Sequence, residues 1–461
     1  MPALLILLVL LMLPIQASAS LSTPHQATRA VQARDLPAIR SSGQLRVLIN
    51  QSRNSAAVVK GQSIGLEYVR LRAFEQYLNR NVGDGQKLRI KFIPTAKDQL
   101  LQALQRGEGD LVAPDELLNV RAGRDVSASR PIVRNVPLVL VSKRGNRHYQ
   151  SFEQLAGRSL SLPRGSAVAQ ALPSINEQLA LKKLPPIIIE WADPSLAVED
   201  VLDMVQAGIF DRTVVELPIA LRWAKVMPKL RIDSHLQLGP AGNISWYVRP
   251  SSPVLRANID RFFANYQAPE DLEGAFHQVF RHLYKMHSPL GRLERQRLQR
   301  VKSVLQEQAK ATGFDWLLLA ALAYKESTLN PQARGVGGPI GLMQVTPAAA
   351  RSVGVSEFHS LAGNVRAGSA YLAMIRQRYF KSTQIPESEQ IAFSLAAYNL
   401  GPERVQSLRA EARRKGLNAN QWFYQVERVA MEQMGLGVVS YVNAVNKYHV
   451  AYKRERYLLE N

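Results

Sequence analysis

Hydrophobic and polar positions follow two different periods along the first half of the chain. Short apolar runs of the strand type lie at residues 45–49, 88–93, 136–141, 159–162, 187–191 and 213–215. Between these runs, apolar residues recur every three or four positions over residues 66–77, 100–107 and 201–207, which is the spacing of an amphipathic helix. Because strand and helix patterns take turns, the sequence predicts two α/β lobes built on a mainly parallel sheet.

The strand pattern ends near residue 290. From there to residue 457 the apolar spacing is helical, with Pro and Gly breaks at residues 330–331, 335–339, 385–386 and 401–402. We therefore expect an α/β domain at residues 41–287, followed by an all-α domain at residues 288–461.

The N-terminus has the pattern of a secretory signal peptide. Residues 3–13 are all apolar, and the small residues Ala17, Ser18 and Ala19 follow in the order that signal peptidase cleaves. The apolar run is shorter than the roughly 20 residues that a membrane-spanning helix needs. We expect cleavage after Ala19, export to the periplasm and a flexible tether over residues 20–40, although no Lys or Arg precedes Arg29.

Charge and cysteine content narrow the choice of partner and chemistry. The 58 Lys and Arg exceed the 37 Asp and Glu, giving a net charge of +21 that favours polyanions. The basic residues are dispersed and no zinc-finger or RNA-binding signature is present, so nucleic acid is disfavoured as a partner. The absence of Cys excludes disulfides, thiolate metal sites and a lipid-modified cysteine. We expect no cofactor and no metal.

A carboxylate at a helix end is the leading candidate for catalysis. Asp315 is a suitable N-cap for a helix that runs to Glu326, and Asn330 with Pro331 stops that helix. The helix dipole disfavours a negative charge in the last turn. The neutral form of Glu326 is therefore favoured, as a general acid requires.

Several short motifs follow Glu326 in a specific order. They are Glu326-Ser327, a glycine-rich loop closing in Gly-Leu-Met-Gln at residues 341–344, Asn364 to Leu372 at helical spacing, and Ala-Tyr-Asn-Leu-Gly at residues 397–401. Over residues 295–455 this set resembles the lytic transglycosylase (SLT) domain, a relative of goose-type lysozyme. Two loop positions depart from the family pattern, with Gly335 in place of Ser and Pro339 in place of Ala.

The resemblance implies a reaction and a set of site residues. It implies cleavage of the β-1,4 bond between N-acetylmuramic acid and N-acetylglucosamine without water, leaving 1,6-anhydromuramic ends, with Glu326 as the catalytic acid and base. It also implies substrate-binding roles for Ser327, Met343, Gln344, Tyr398, Asn399 and Tyr441, with Tyr441 as a second possible partner of Glu326. Asn364, Gly368 and Tyr371 are interpreted as scaffold.

Three other interpretations remain open. Hydrolysis of the lysozyme type needs a second carboxylate, for which Glu357 and Glu403 are nearby candidates in sequence. A non-catalytic cell-wall sensor would place the function in the α/β module, although Glu326-Ser327 is intact. A transporter-linked solute receptor would leave the helical domain unexplained.

The α/β region resembles the family 3 periplasmic solute-binding proteins over residues 42–285. The resemblance rests on Gly-Asp-Leu-Val at residues 109–112 followed by Arg121, on the block at residues 151–157, and on Gly-Ile-Phe-Asp at residues 208–211 followed by Glu216. It implies that Arg121 clamps a ligand carboxylate and that Glu216 meets a ligand amine. The interval from Arg121 to Ser129-Arg130-Pro131 is one residue longer than the family pattern.

The two modules in this order resemble the membrane-bound lytic murein transglycosylase F family. That architecture implies a regulatory α/β module, with an amino acid or a muropeptide as its ligand. It also implies peptidoglycan glycan strands as the substrate and peripheral association with the outer membrane.

Overall fold

The computed structural model describes residues 34–120, 126–270, 272–281 and 287–461. The predicted signal peptide and Arg121 lie outside these residues. The C-terminal part of the predicted tether is not flexible: Leu36–Ser41 forms a helix, capped by the side chain of Asp35 and anchored by Ile39, which is fully buried.

The strands lie between residues 44 and 248. In chain order they are β1 (Gln44–Asn50), β2 (Ala57–Val59), β3 (Gln62–Ile64), β4 (Arg89–Thr95), β5 (Leu111–Ala113), β6 (Ser127–Ala128), β7 (Val133–Val136), β8 (Leu138–Lys143), β9 (Ser159–Leu162), β10 (Ile188–Trp191), β11 (Arg212–Glu216), β12 (Leu230–Gln237), β13 (Gly242–Ile244) and β14 (Tyr247–Val248).

The α-helices dominate the remainder of the described chain. They are α1 (Leu36–Ser41), α2 (Leu66–Leu78), α3 (Leu100–Gln105), α4 (Val168–Leu181), α5 (Val198–Ala207), α6 (Leu217–Val226), α7 (Pro253–Asn265), α8 (Leu272–Phe280), α9 (Arg292–Thr312), α10 (Trp316–Ser327), α11 (Pro347–Ser352), α12 (Leu361–Ile375), α13 (Glu387–Leu400), α14 (Pro402–Arg414), α15 (Glu427–Met434), α16 (Leu436–Arg454) and α17 (Arg456–Glu460). Two single π-turns lie at Arg376–Phe380 and Trp422–Val426.

The first lobe is a five-stranded sheet in the order β4-β1-β5-β14-β6. Strand β1 pairs in parallel with β4 and β5, whereas β14 pairs antiparallel with β5 and β6. Leu45, Val47 and Ile49 enter one core and Leu48 enters another on the opposite face. The β1 strand is apolar on both faces because both faces are covered.

The second lobe has its own core and its own strands. Strand β8 lies between β11 and β12, both antiparallel to it, and β9 pairs in parallel with β10. The chain leaves the first sheet after β6 and returns to it at β14. The two-lobed α/β fold is confirmed, but the expectation of a mainly parallel sheet is wrong. Apolar runs predict strands, whereas the path of the chain between the lobes sets their direction.

From Arg292 onward the helices and strands that the structure describes are all helices, as predicted for residues 288–461. Helix α10 lies at the centre of this domain and packs against α9 and α16. Every residue from Trp316 to Tyr324 is buried, so this helix is apolar on all sides. Its apolar surroundings fix the position of Glu326 in its last turn. Within the described residues, no helix is both long and apolar enough to cross a bilayer.

Candidate active site

Glu326 lies where α10 ends. The side chain of Asp315 caps the start of the helix by accepting a hydrogen bond from the backbone N–H of Leu317 at 3.1 Å. At the other end, Thr328 and Leu329 adopt the left-handed conformation, with φ of +53° and +59°, and stop the helix. Glu326 is half-buried at this turn.

The environment of Glu326 favours its protonated form. Burial raises the pKa of the Glu326 carboxyl, whereas the hydrogen bond from Tyr441 and the positive charge of Lys325 lower it less strongly. The result is a pKa above the usual value for glutamate. A carboxyl group with these properties keeps its proton to a higher pH than an ordinary glutamate, as a general acid requires, and can accept a proton once it has given its own away.

Two tyrosines lie beside this carboxyl group. The hydroxyl of Tyr441, on α16, donates a hydrogen bond to Oε1 of Glu326. The hydroxyl of Tyr398, on α13, donates to the backbone carbonyl of Met343 at 2.8 Å. Burial and the charge of Glu326 raise the pKa of both phenols well above 10. Both therefore keep their protons and act as hydrogen-bond donors.

Ser327 holds the glycine-rich loop against the helix. Its hydroxyl donates to the carbonyl of Leu342 at 2.8 Å and lies 3.1 Å from the carbonyl of Ala323. It also accepts a hydrogen bond from the backbone N–H of Asn330 at 3.1 Å. The structure therefore places Ser327 as a brace between the helix end and the loop.

The side chains of Met343 and Gln344, which were predicted to bind substrate, turn into the loop instead. The Met343 side chain is fully buried and lies against Gly368, because the loop turns it inward. Its backbone N–H donates to Asn364 Oδ1 at 2.9 Å. The Gln344 side chain folds back onto the carbonyls of Gly341, at 2.9 Å, and Ala333. Both residues shape the loop from within.

The backbone of Gly341 lies directly against the side-chain amide of Asn364. Gly341 has a φ of +79°, and a Cβ atom added to it would lie 2.4 Å from Asn364 Nδ2. The same amide group donates to the carbonyl of Ile340 at 2.9 Å. Glycine is therefore required here both for its conformation and for its lack of a side chain.

The remaining polar candidates lie around the site. Asn399 is exposed in the last turn of α13. Glu357 is exposed, and Glu403 accepts a hydrogen bond from the hydroxyl of Tyr379 at 3.1 Å. Neither carboxylate is among the groups that shift the pKa of Glu326. The described contacts therefore give Glu326 no acidic partner from these two residues.

Glu389, in the first turn of α13, is a perturbed carboxyl group that the sequence does not reveal. Burial raises its pKa to about 7, against the lowering effect of the backbone N–H groups of Trp422 and Phe423. The N–H of Trp422 donates to Glu389 Oε2 at 2.6 Å. Glu389 thus fixes the start of the π-turn at Trp422–Val426.

Glu216 is already paired in the cleft between the two α/β lobes. Lys97 Nζ lies 2.5 Å from Glu116 and 3.3 Å from Glu216, and all three side chains are buried. Glu216 also accepts the backbone N–H of Leu117 at 3.0 Å. The ammonium group facing Glu216 in this structure is therefore that of Lys97.

A cavity of about 370 Å³ opens at this cleft. Residues of both lobes line it, including Asn50, Lys97, Glu116, Arg164 and Val198, together with Tyr424 of the helical domain. Tyr424 has a φ of +63°, and its hydroxyl donates to the carbonyl of Ser195 at 2.6 Å. The helical domain thus supplies one wall of the cavity.

Buried charges join the α/β module to the helical domain. Arg53 is 3.0 Å from Asp200 and donates from Nε to Glu427 at 2.9 Å. Lys447 Nζ lies 2.6 Å from Asp203 and 3.4 Å from Asp200. Burial raises the pKa of the Asp200 carboxyl, but Arg53 and Lys447 outweigh it, so the net direction is downward.

Helix α16 connects the candidate active site with the interface to the α/β module. Tyr441 near its start contacts Glu326, and Asn443 two residues later donates to Asp200 at 3.1 Å. Lys447, one turn further along, contacts Asp203 of the second lobe. One helix therefore carries a partner of the candidate acid and the residues that dock the α/β module.

Residues 303–421 match the family model described as the Transglycosylase SLT domain. The membrane-bound lytic murein transglycosylase F of Desulfosudis oleivorans is 28% identical over 401 residues, covering 83% of this chain and 81% of the relative. The protein of the same name from Ectopseudomonas mendocina is 27% identical over 393 residues, covering 84% and 77%. Among solved structures, an ancestral arginine-binding protein bound to arginine covers 52% of this chain and 98% of its own, at 18% identity and a TM-score of 0.40.

Proposed function

We propose that this chain, whose residues 303–421 match the transglycosylase SLT domain, is a peptidoglycan lytic transglycosylase with an N-terminal ligand-binding regulatory module. It cleaves the bond between N-acetylmuramic acid and N-acetylglucosamine and leaves 1,6-anhydromuramic ends. The observation that carries this proposal is the Glu326 carboxyl group, raised in pKa by burial and hydrogen-bonded by Tyr441.

The reaction uses one carboxyl group twice. Protonated Glu326 donates its proton to the glycosidic oxygen, the bond from that oxygen to C1 breaks, and the leaving sugar departs as an alcohol. The Glu326 carboxylate then takes the proton of the C6 hydroxyl on the muramic acid residue. At the same time, the oxygen of that C6 hydroxyl bonds to C1. The ring closes, and Glu326 is protonated again for the next cycle.

A single carboxyl group is sufficient because the substrate supplies the nucleophile. Glycosidases that use water or a covalent intermediate need two carboxylates on either side of the bond. Neither Glu357 nor Glu403 is among the groups that shift the pKa of Glu326. Asn399, exposed near Tyr398, is the candidate for direct contact with the sugar. Ser327, Met343 and Gln344 act on the substrate through the shape of the loop.

The α/β module regulates access to the active site by binding a small ligand in its cleft. We expect an amino acid or a muropeptide, which would contact Tyr424 as well as both lobes. A ligand that alters the cleft would alter the position of Tyr424 and of the charges that dock α16. Regulation then requires that the ligand bind one arrangement more tightly than another.

We place the protein in the periplasm, peripherally associated with the outer membrane, where its substrate lies. The signal-peptide pattern at residues 1–19 supports export, and the net charge of +21 favours anionic surfaces.

Digestion of purified peptidoglycan tests the activity. Residues 20–461 and the Glu326→Gln variant would be incubated with isolated sacculi, and the released ends read by mass spectrometry. We expect anhydromuramic ends from the wild type and a loss of about 10²- to 10⁴-fold in the variant. Reducing ends would mean hydrolysis, and no cleavage by either protein would favour the wall-binding sensor.

A further inference from the structure

Three metal-ligating side chains converge on the second lobe, outside both the active site and the cleft. His148 lies in the loop after β8, and Asp233 and His235 lie on β12, the edge strand that pairs with β8. One ligand atom from each of the three residues lies within 4.8 Å of the other two. The Nε2 atom of His148 is 3.1 Å from Oδ1 of Asp233.

The carboxylate of Asp233 is buried, whereas the imidazoles of His148 and His235 are exposed to solvent. The Asp233 side chain is only 2% exposed, whereas that of His148 is 45% exposed. The rings of His148 and His235 are nearly parallel, with centroids 5.4 Å apart and planes inclined by 28°. A cation bound at the nitrogen edges of the two rings would reach the buried carboxylate and remain open to solvent on its other side.

Hydrogen bonds orient both imidazoles for metal binding. His235 Nε2 lies 3.0 Å from the carbonyl of Tyr149, which can only accept, so Nε2 carries the proton and Nδ1 keeps its lone pair. His148 Nδ1 accepts a hydrogen bond from the side-chain amide nitrogen of Gln150 at 2.7 Å, so Nε2 of His148 carries the proton and faces Asp233 Oδ1. Reversal of the Gln150 amide would present its oxygen to Nδ1–H and free Nε2 of His148 for a metal. Such outer partners are typical of metal-binding histidines.

Arg231 limits the strength of the site. Its Nε atom is 3.2 Å from Oδ1 and 3.3 Å from Oδ2 of Asp233. It also donates to the hydroxyl of Ser142 and to the carbonyls of Asn146 and Arg147. The guanidinium group holds the His148 loop against β12, but its charge opposes a second cation. The affinity for a metal is therefore expected to be lower than that of a site without a competing cation.

We propose that His148, Asp233 and His235 form a binding site for a divalent transition-metal ion such as Zn²⁺. Two imidazoles and one carboxylate are suited to zinc, copper and nickel, and three protein ligands leave a position for water. Ligand atoms around tetrahedral zinc lie roughly 3.3 Å apart, given bond lengths of about 2.0–2.2 Å. The ligand atoms, which lie within 4.8 Å of one another, reach this shorter spacing when the two accessible histidine side chains rotate. The ion would tie the loop after β8 to strand β12.

This site departs from the expectation of no metal, and the sequence conceals it. His148 is separated from Asp233 and His235 by more than eighty positions. Only the pairing of β12 with β8 brings them together.

Titration of the purified chain with Zn²⁺ alone tests the proposal. The full exported chain, residues 20–461, would be stripped with a chelator and titrated against a chromophoric zinc indicator. We expect one equivalent of Zn²⁺ to bind and the thermal midpoint to rise with zinc concentration. His148→Gln, Asp233→Asn and His235→Gln should each weaken binding by about tenfold or more. His359→Gln, which removes an exposed histidine of the helical domain, should bind as the wild type does.

A second measurement needs no variant. Zn²⁺ should protect His148 and His235 of the wild type from carbethoxylation, as mapped by peptide mass spectrometry, while His359 stays reactive. Equal reaction of His148 and His235 with and without Zn²⁺ would overturn the proposal. So would the absence of a zinc-binding equivalent in the wild type, or loss of that equivalent only in His359→Gln.

Discussion

The hydroxyl of Tyr441 donates a hydrogen bond to the carboxyl group of Glu326, although the two residues are 115 positions apart. The contact exists because α10 and α16 pack side by side at the centre of the helical domain. It opposes the effect of burial on the pKa of Glu326 and holds the carboxyl group in one orientation. The same helix, α16, docks the α/β module through Asn443 and Lys447.

The Tyr441→Phe variant should move the pH profile of the enzyme. A general acid must be protonated, so activity falls as pH rises through the pKa of Glu326. The Tyr441 hydrogen bond lowers that pKa, and its removal should raise the pKa and shift the alkaline limb of the profile to higher pH. The turnover rate at the optimum should fall by about tenfold, because a hydrogen bond to a charged group is lost.

The measurement is the rate of release of soluble muropeptides between pH 4 and pH 9. Tyr457→Phe, which changes an exposed tyrosine on α17, is the matched control and should leave the profile unchanged. An alkaline limb that stays in place in Tyr441→Phe would contradict the assigned role.

The Glu389→Gln variant should flatten the pH dependence of stability. The folded pKa of Glu389 is raised to about 7, above its ordinary value of 4.5. The unfolded state therefore loses its proton first, and the free energy of unfolding falls as pH rises from 4.5 to 7. Removing this group should abolish a decrease on the order of 2 kcal/mol across that window. Urea unfolding at several pH values measures it, and an unchanged slope would contradict the prediction.

The Lys447→Met variant should be strongly destabilised. Lys447 is buried between Asp200 and Asp203, and its removal takes the ammonium group from both buried carboxylates, leaving Asp200 with Arg53. Breaking a buried ion pair on one side costs about 3–5 kcal/mol. In the control Lys415→Met, an exposed pair with Glu432 is lost, for a cost of about 0–1 kcal/mol. Equal free energies of unfolding for the two variants would rule out a structural role for the buried pair.

The Gly341→Ala variant should lose both stability and activity. Its Cβ atom would displace the Asn364 amide, which holds the backbone N–H of Met343 and thus the loop beside Tyr398. Gly337→Ala is the control, since it has a similar φ of +88° but no neighbour within 4 Å. Each variant incurs about 1 kcal/mol of backbone strain, and only Gly341→Ala adds the clash. In thermal unfolding and in the muropeptide assay, Gly341→Ala should therefore lose more stability and more activity than Gly337→Ala.

The sequence predicted the elements better than their arrangement. The strand at residues 45–49 and the helix that carries Glu326 in its last turn lie where their apolar spacing places them. Strand direction in the second lobe depends on long-range pairing, which local patterning does not encode. The position of Glu326 could be predicted from its motif and helix end.

Contacts between residues far apart in the chain could not be predicted from the sequence. The pairing of Glu216 with Lys97 joins residues 119 positions apart, and the buried position of Met343 depends on Gly368 across the loop. Glu389 has an ordinary position at the start of a helix, where an acidic residue is typical. Burial raises its pKa, against the lowering effect of the backbone N–H groups of Trp422 and Phe423, and this burial depends on the tertiary fold.

The central claim is that the C6 hydroxyl of the substrate, and not water, attacks C1. Digestion of peptidoglycan in water enriched in ¹⁸O, with mass spectrometry of the new muramic acid ends, tests this most directly. We predict 1,6-anhydromuramic ends that carry no ¹⁸O and are absent with Glu326→Gln. Reducing ends that carry one ¹⁸O atom would contradict the account and would require a second catalytic carboxylate.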